Sequence, residues 1–138
     1  MTRPVIKIAL LIATLMTGGC TLELTCDLYN NTGLVLIVTI FPSAEKNKEL
    51  KVAPRASVRL PKCDLSQYRV MADGKAWKYD SIQPPEEFIK TVGVGPWSQR
   101  IFQGQLEPDG KVFAILPNVQ VPTRLLNKQP DGFPITPT

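Results

Sequence analysis

The side chains of this chain best able to do covalent chemistry are three cysteines, Cys20, Cys26 and Cys63, since a thiol can act as nucleophile, disulfide partner or metal ligand. No histidine is present to assist them, which removes Ser-His-Asp and Cys-His relays and every His-containing zinc site. No Cys-x-x-Cys pair occurs to lower a thiol pKa for redox catalysis. The adjacent carboxylates Glu86 and Glu87 would point in different directions on a helix and cannot flank one bond, so they suit a solvated helix start instead. Ser57 and Ser66 lack a Ser-x-x-Lys or Gly-x-Ser-x-Gly setting. Gly93-Val94-Gly95-Pro96 lacks the further residues of a dinucleotide or phosphate loop and reads as a turn. The acids are too scattered for an all-oxygen metal site. No catalytic residue, metal ligand or cofactor is therefore expected. Trp77, Tyr79 and Trp97, with Phe102, remain as a candidate binding surface: an aromatic platform for glycan or peptide, with burial in the core as the alternative.

The amino terminus carries an address. Residues 1–20 read MTRPVIKIALLIATLMTGGC, with Arg3 and Lys7, an apolar run from Ile8 to Met16, then Thr17-Gly18-Gly19 before Cys20. That order is the three-part pattern of a secretory signal. Its apolar run of nine residues is far short of the roughly 20 needed to span a bilayer core as a helix.

Gly18-Gly19-Cys20 resembles the lipobox of bacterial lipoproteins. The resemblance implies removal of residues 1–19, diacylation of the Cys20 sulfur and a mature chain tied to the lipid bilayer by its acyl chains, each buried methylene contributing about 0.8 kcal/mol. In enterobacterial lipoproteins Asp after the cysteine favours retention in the inner membrane. Thr21 stands there in this chain, which implies the outer membrane with the domain in the periplasm, and a Gram-positive surface as the alternative. Lipidation of Cys20 also resolves an odd cysteine count: Cys26 and Cys63 are then the pair left in an oxidising compartment and are expected to form a disulfide. Such a bridge would stabilise by about 4 kcal/mol in the chain-entropy model. Two buried thiols are the alternative.

Positioning falls to short strands. Leu22 to Tyr29 alternates apolar and polar residues, placing Leu22, Leu24, Cys26 and Leu28 on one face. Asn30-Asn31-Thr32-Gly33 has turn chemistry, and Leu34 to Phe41 is a nearly continuous aliphatic run, so the two segments read as a hairpin whose second strand is central. Leu50–Val52, Ser57–Leu60 and Gln67–Ala72 offer further strands between Pro54, Pro61 and Asp64. Asp73-Gly74 predicts a hairpin into the strand bearing Trp77 and Tyr79, and Pro108-Asp109-Gly110 predicts another between Ser98–Glu107 and Lys111–Leu116. Pro84 to Lys90 is the one credible helical start. Prolines 117, 122, 130, 134 and 137 deny regular pairing beyond Leu116. The expected architecture is an all-β domain over residues 20–116, a small antiparallel β-sandwich or open barrel with one short helical turn, followed by a Pro-rich strap or tail over 117–138, to which Leu125, Leu126, Phe133 and Ile135 lend docking groups.

Charge narrows the partners. The chain of 138 residues has 16 basic and 12 acidic side chains and a formal charge of +4; loss of Arg3 and Lys7 with the export segment reduces it to +2, and no nucleic-acid partner is expected. The local excess of Lys46, Lys48, Lys51, Arg55, Arg59 and Lys62 could face anionic polymers, or could guard a sheet edge against pairing. The expected role is a non-catalytic binding or structural module of the cell envelope, with an envelope protein or cell-wall glycan as partner. The alternative is an inhibitor of a periplasmic or cell-wall hydrolase, with Gly93 to Trp97 as the inhibitory loop.

Overall fold

A computed structural model of the chain describes residues 23–40 and 48–138. The expected export segment 1–19, the lipidation site Cys20 and Lys46 of the basic run lie outside the described residues. The strands are β1 (Leu24–Asn30), β2 (Leu36–Ile40), β3 (Glu49–Val52), β4 (Ser57–Leu60), β5 (Tyr68–Ala72), β6 (Lys75–Trp77), β7 (Ile89–Val92), β8 (Gln99–Leu106) and β9 (Val112–Ile115). One sheet runs β4-β1-β8-β7, with β9 also on β8, and the other runs β3-β2-β5-β6. The two sheets do not close on each other, so the all-β domain is a sandwich.

Alternation builds its core. Cys26 and Leu28 of β1, Leu36 and Val38 of β2, and Tyr68, Val70 and Ala72 of β5 are buried at every second position and join one cluster with Phe102 of β8. A fully buried leucine in such a layer contributes about 2 kcal/mol. The hairpins at Asp73-Gly74 and Pro108-Asp109-Gly110 form as predicted, pairing β5 with β6 and β8 with β9.

The expected β1–β2 hairpin does not form: β1 pairs with β4 and β8, β2 with β3 and β5, and the turn between them crosses from one sheet to the other. Asn30 turns the chain there. Its fully buried side-chain amide donates to Leu34 O at 2.7 Å and Ala53 O at 3.1 Å, while Oδ1 accepts from Thr32 N at 3.1 Å and Thr32 Oγ1 at 2.7 Å. These bonds replace the ladder a hairpin would have supplied.

Two further features depart from expectation. The β1–β8 pair is parallel, Leu24 opposite Arg100 through Asn30 opposite Leu106, within an otherwise antiparallel set of pairings. Pro84 to Lys90 contributes a 3-10 turn at Glu86–Phe88 and then β7, because Ile89 and Lys90 find strand partners in Phe102 and Ile101. Of the basic run, Lys51 sits on β3 and Arg59 on β4, each an edge strand of its sheet, and Arg59 is held by Asp27 at 2.8 Å. Such edges resist pairing with other chains.

The segment after Leu116 is a strap and not a loose tail. Ile135 bridges Val112 in both directions, Thr138 N donates to Lys78 O at 2.8 Å, and the Phe133 ring lies 5.5 Å from that of Phe102. Phe133 and Ile135 are buried, Leu126 is half-buried, and Leu125 stays exposed.

Candidate functional site

The outer edge of β8 is shared by two shorter strands. β7 covers Gln99 to Phe102 and β9 covers Gln103 to Leu106, so Ile89 and Ile115 begin and end neighbouring strands in a notch. The strap roofs it through two glutamines. Gln105 Nε2 donates to Thr123 O at 3.0 Å and Oε1 accepts from Thr123 N at 2.9 Å, while Gln129 Nε2 donates to Ala114 O at 3.0 Å and Oε1 accepts from Ala114 N at 2.8 Å. A primary amide has the donor and acceptor spacing of a peptide group, so each glutamine serves as a one-residue strand partner. With Ile135 on Val112, Gln129 on Ala114 closes the free edge of β9.

Between the strap and the notch lies a cleft of about 320 Å³, its walls built by Phe88, Ala114, Ile115, Val119 and Leu125, with Lys128 at the margin. The walls are mainly aliphatic. Leu125, 80 % exposed, stands on the rim. Such a surface can take up apolar groups of a partner; it has no array of ring faces for stacking on sugars. Among the described residues no three or more His, Cys, Asp or Glu side chains gather as they would around a metal ion.

A second surface feature is the β7–β8 connection. Gly93 has φ +96°, and a Cβ there would lie 2.9 Å from Trp97 O; Gly95 has φ +65°. Pro96 lies in the 3-10 turn Gly95–Trp97, and Ser98 closes the turn by donating to Gly95 O from N at 3.1 Å and from Oγ at 2.5 Å. Only glycine takes these backbone angles without strain. The tied turn holds Val94 and Trp97 outward, 87 % and 85 % exposed.

The sequence-derived aromatic candidates are therefore separated. Tyr79 is 4 % exposed and donates to Gly110 O at 2.7 Å, and burial pushes its phenol well above the ordinary range. Trp77 is half-buried against Gly110, at which a Cβ would meet the indole at 2.8 Å. Both secure the β8–β9 turn. Trp97 adjoins the opposite end of β8, a strand of eight residues that spans about 23 Å, so no platform joins the three. Phe102 is core.

Cys26 and Cys63 do come together, Cys63 N donating to Leu24 O at 2.9 Å beside the buried Cys26. The expected disulfide is not supported: the structure holds both as free thiols. A hydrogen bond between the Cys26 and Cys63 thiols, followed by burial, pushes the Cys26 pKa up. Glu86 pairs with Arg100 at the surface, and Ser66 donates to Asp64, which caps the 3-10 turn Leu65–Gln67; these bonds lower the Asp64 pKa. The cleft residues were not among the sequence candidates. Their one local signal was Leu125, an apolar residue of the Pro-rich segment read as a docking group of the strap. No protein-family model, curated protein or solved structure matches the chain.

Proposed function

We propose that this chain is a lipid-anchored protein of the bacterial envelope, held to the outer membrane through acylated Cys20, whose periplasmic β-sandwich binds a protein partner without catalysing a reaction. The export pattern and Gly18-Gly19-Cys20 support the address. The binding role rests on one observation, the apolar cleft between strap and notch. Its occupant is a short apolar segment of an envelope protein: aliphatic walls match aliphatic side chains, and Lys128 at the margin suits a flanking carboxylate.

A photo-reactive amino acid at Leu116, on the cleft wall, tests this in living cells. An adduct with one envelope protein, suppressed by Leu125→Asp, is the expected result. Adducts absent, or indifferent to Leu125→Asp, would reject the cleft as the binding site.

A further inference from the structure

We infer that Val94 and Trp97 form a membrane-contacting tip that enters the interfacial zone of the bilayer carrying the anchor, and so set the tilt of the domain. The inference rests on the lipid-anchored reading of Cys20 proposed above. Its own support is the parallel pairing of β1 with β8, which sets Leu24 beside Arg100. The chain entering β1 and the turn entering β8 therefore lie at the same end of the sandwich. Had the pair been antiparallel, the tip would stand at the far end, about 23 Å away.

Chain length puts the contact within reach. Cys20 precedes Glu23 by three residues, which extend at most about 11 Å. The tip projects a similar number of residues beyond the paired Val92 and Gln99. Two strand spacings, about 10 Å, separate β1 from β7, so an anchor at Cys20 holds the lipid surface within touch of the tip. The occupant also fits chemically. Among the described residues Val94 and Trp97 are the two most exposed large hydrophobic ones, presented by a turn with left-handed glycines and a double hydrogen bond to Gly95 O. Tryptophan favours the headgroup level, where its ring is apolar and its N–H wet.

The acylated protein, reconstituted in phosphatidylethanolamine–phosphatidylglycerol vesicles doped with brominated phosphatidylcholine, provides the test, because the chain has two tryptophans. With Trp77→Phe, emission from Trp97 should shift to shorter wavelength on reconstitution and fall about twofold with brominated lipid. With Trp97→Phe, a surface change that spares the core, emission from Trp77 should be insensitive to bromine. Unquenched Trp97 in a protein whose intact mass shows acylated Cys20 would overturn the tip while sparing the anchor. A protein crosslink at Val94 without lipid quenching would overturn it equally. Unmodified Cys20 would remove the anchor, and the tip proposal with it.

Discussion

Gln105 and Thr123 exchange two hydrogen bonds across the strap contact, at 2.9 and 3.0 Å between the side-chain amide of one and the backbone of the other, while the fully buried Gln105 also donates from Nε2 to Glu107 Oε1 at 2.5 Å. Gln105→Ala leaves the Thr123 N–H and C=O without these partners and should cost about 3 kcal/mol. The loss falls on the strap before it reaches the core. Limited trypsin digestion should therefore cleave after Arg124 and Lys128 faster than in the wild type, before the sandwich itself is cut. Equal cleavage rates would show that Gln105 does not hold the strap.

Asn30 is the corresponding hub at the sheet-to-sheet crossing. Asn30→Asp keeps the acceptor for Thr32 and removes the donor to Leu34 O, Val52 O and Ala53 O, setting a buried carboxylate against carbonyl oxygens. A loss of about 3 kcal/mol or more is expected in urea unfolding at neutral pH. A neutral outcome would mean that the crossing does not depend on this side chain.

Asp64 links stability to pH. Hydrogen bonds from Ser66 lower its folded pKa below the ordinary 3.8, so the folded state favours the carboxylate. Its contribution is present in full above the unfolded value and is lost as pH falls through the lowered folded value. Asp64→Ala should cost about 1 kcal/mol at pH 7, in the range of a lost cap. That difference from the wild type should shrink in acid. A constant difference across the acid range would contradict the cap.

The paired thiols should differ in reactivity. Cys26 is fully buried and its pKa is raised, whereas Cys63 is partly exposed. Iodoacetamide added to the folded, reduced protein should label Cys63 first and Cys26 only after denaturant is added. Peptide mass mapping reads the order directly, and simultaneous labelling would refute the burial of Cys26.

Local signals in the sequence were legible where adjacent residues decide the structure. Asp73-Gly74 and Pro108-Asp109-Gly110 each carry a glycine at positive φ, and both turns form. Asn30 to Gly33 has equally good turn chemistry, yet its chemistry is the same whether the chain folds back within a sheet or crosses to the other; the carbonyls of Leu34, Val52 and Ala53 make that choice. The Leu24–Arg100 pairing lies too far apart in sequence for any periodicity to reveal. Trp77 and Trp97 were indistinguishable by type. Gly110 receives the first, while the turn at Gly93 and Gly95 holds the second in solvent. The cleft is not legible in the sequence because its walls come from β9, the 3-10 turn at Glu86–Phe88 and the strap, which are brought together by tertiary contacts such as those of Gln105 and Gln129.

Lipid attachment underlies the proposed location, the orientation of the domain and the reach of its tip. Intact mass spectrometry of the protein extracted from membranes tests it most directly. The expected result is a chain beginning at Cys20 and heavier than the polypeptide by a diacylglyceryl group and further acylation. A chain that retains residues 1–19, or one that begins elsewhere with an unmodified Cys20 thiol, would contradict it.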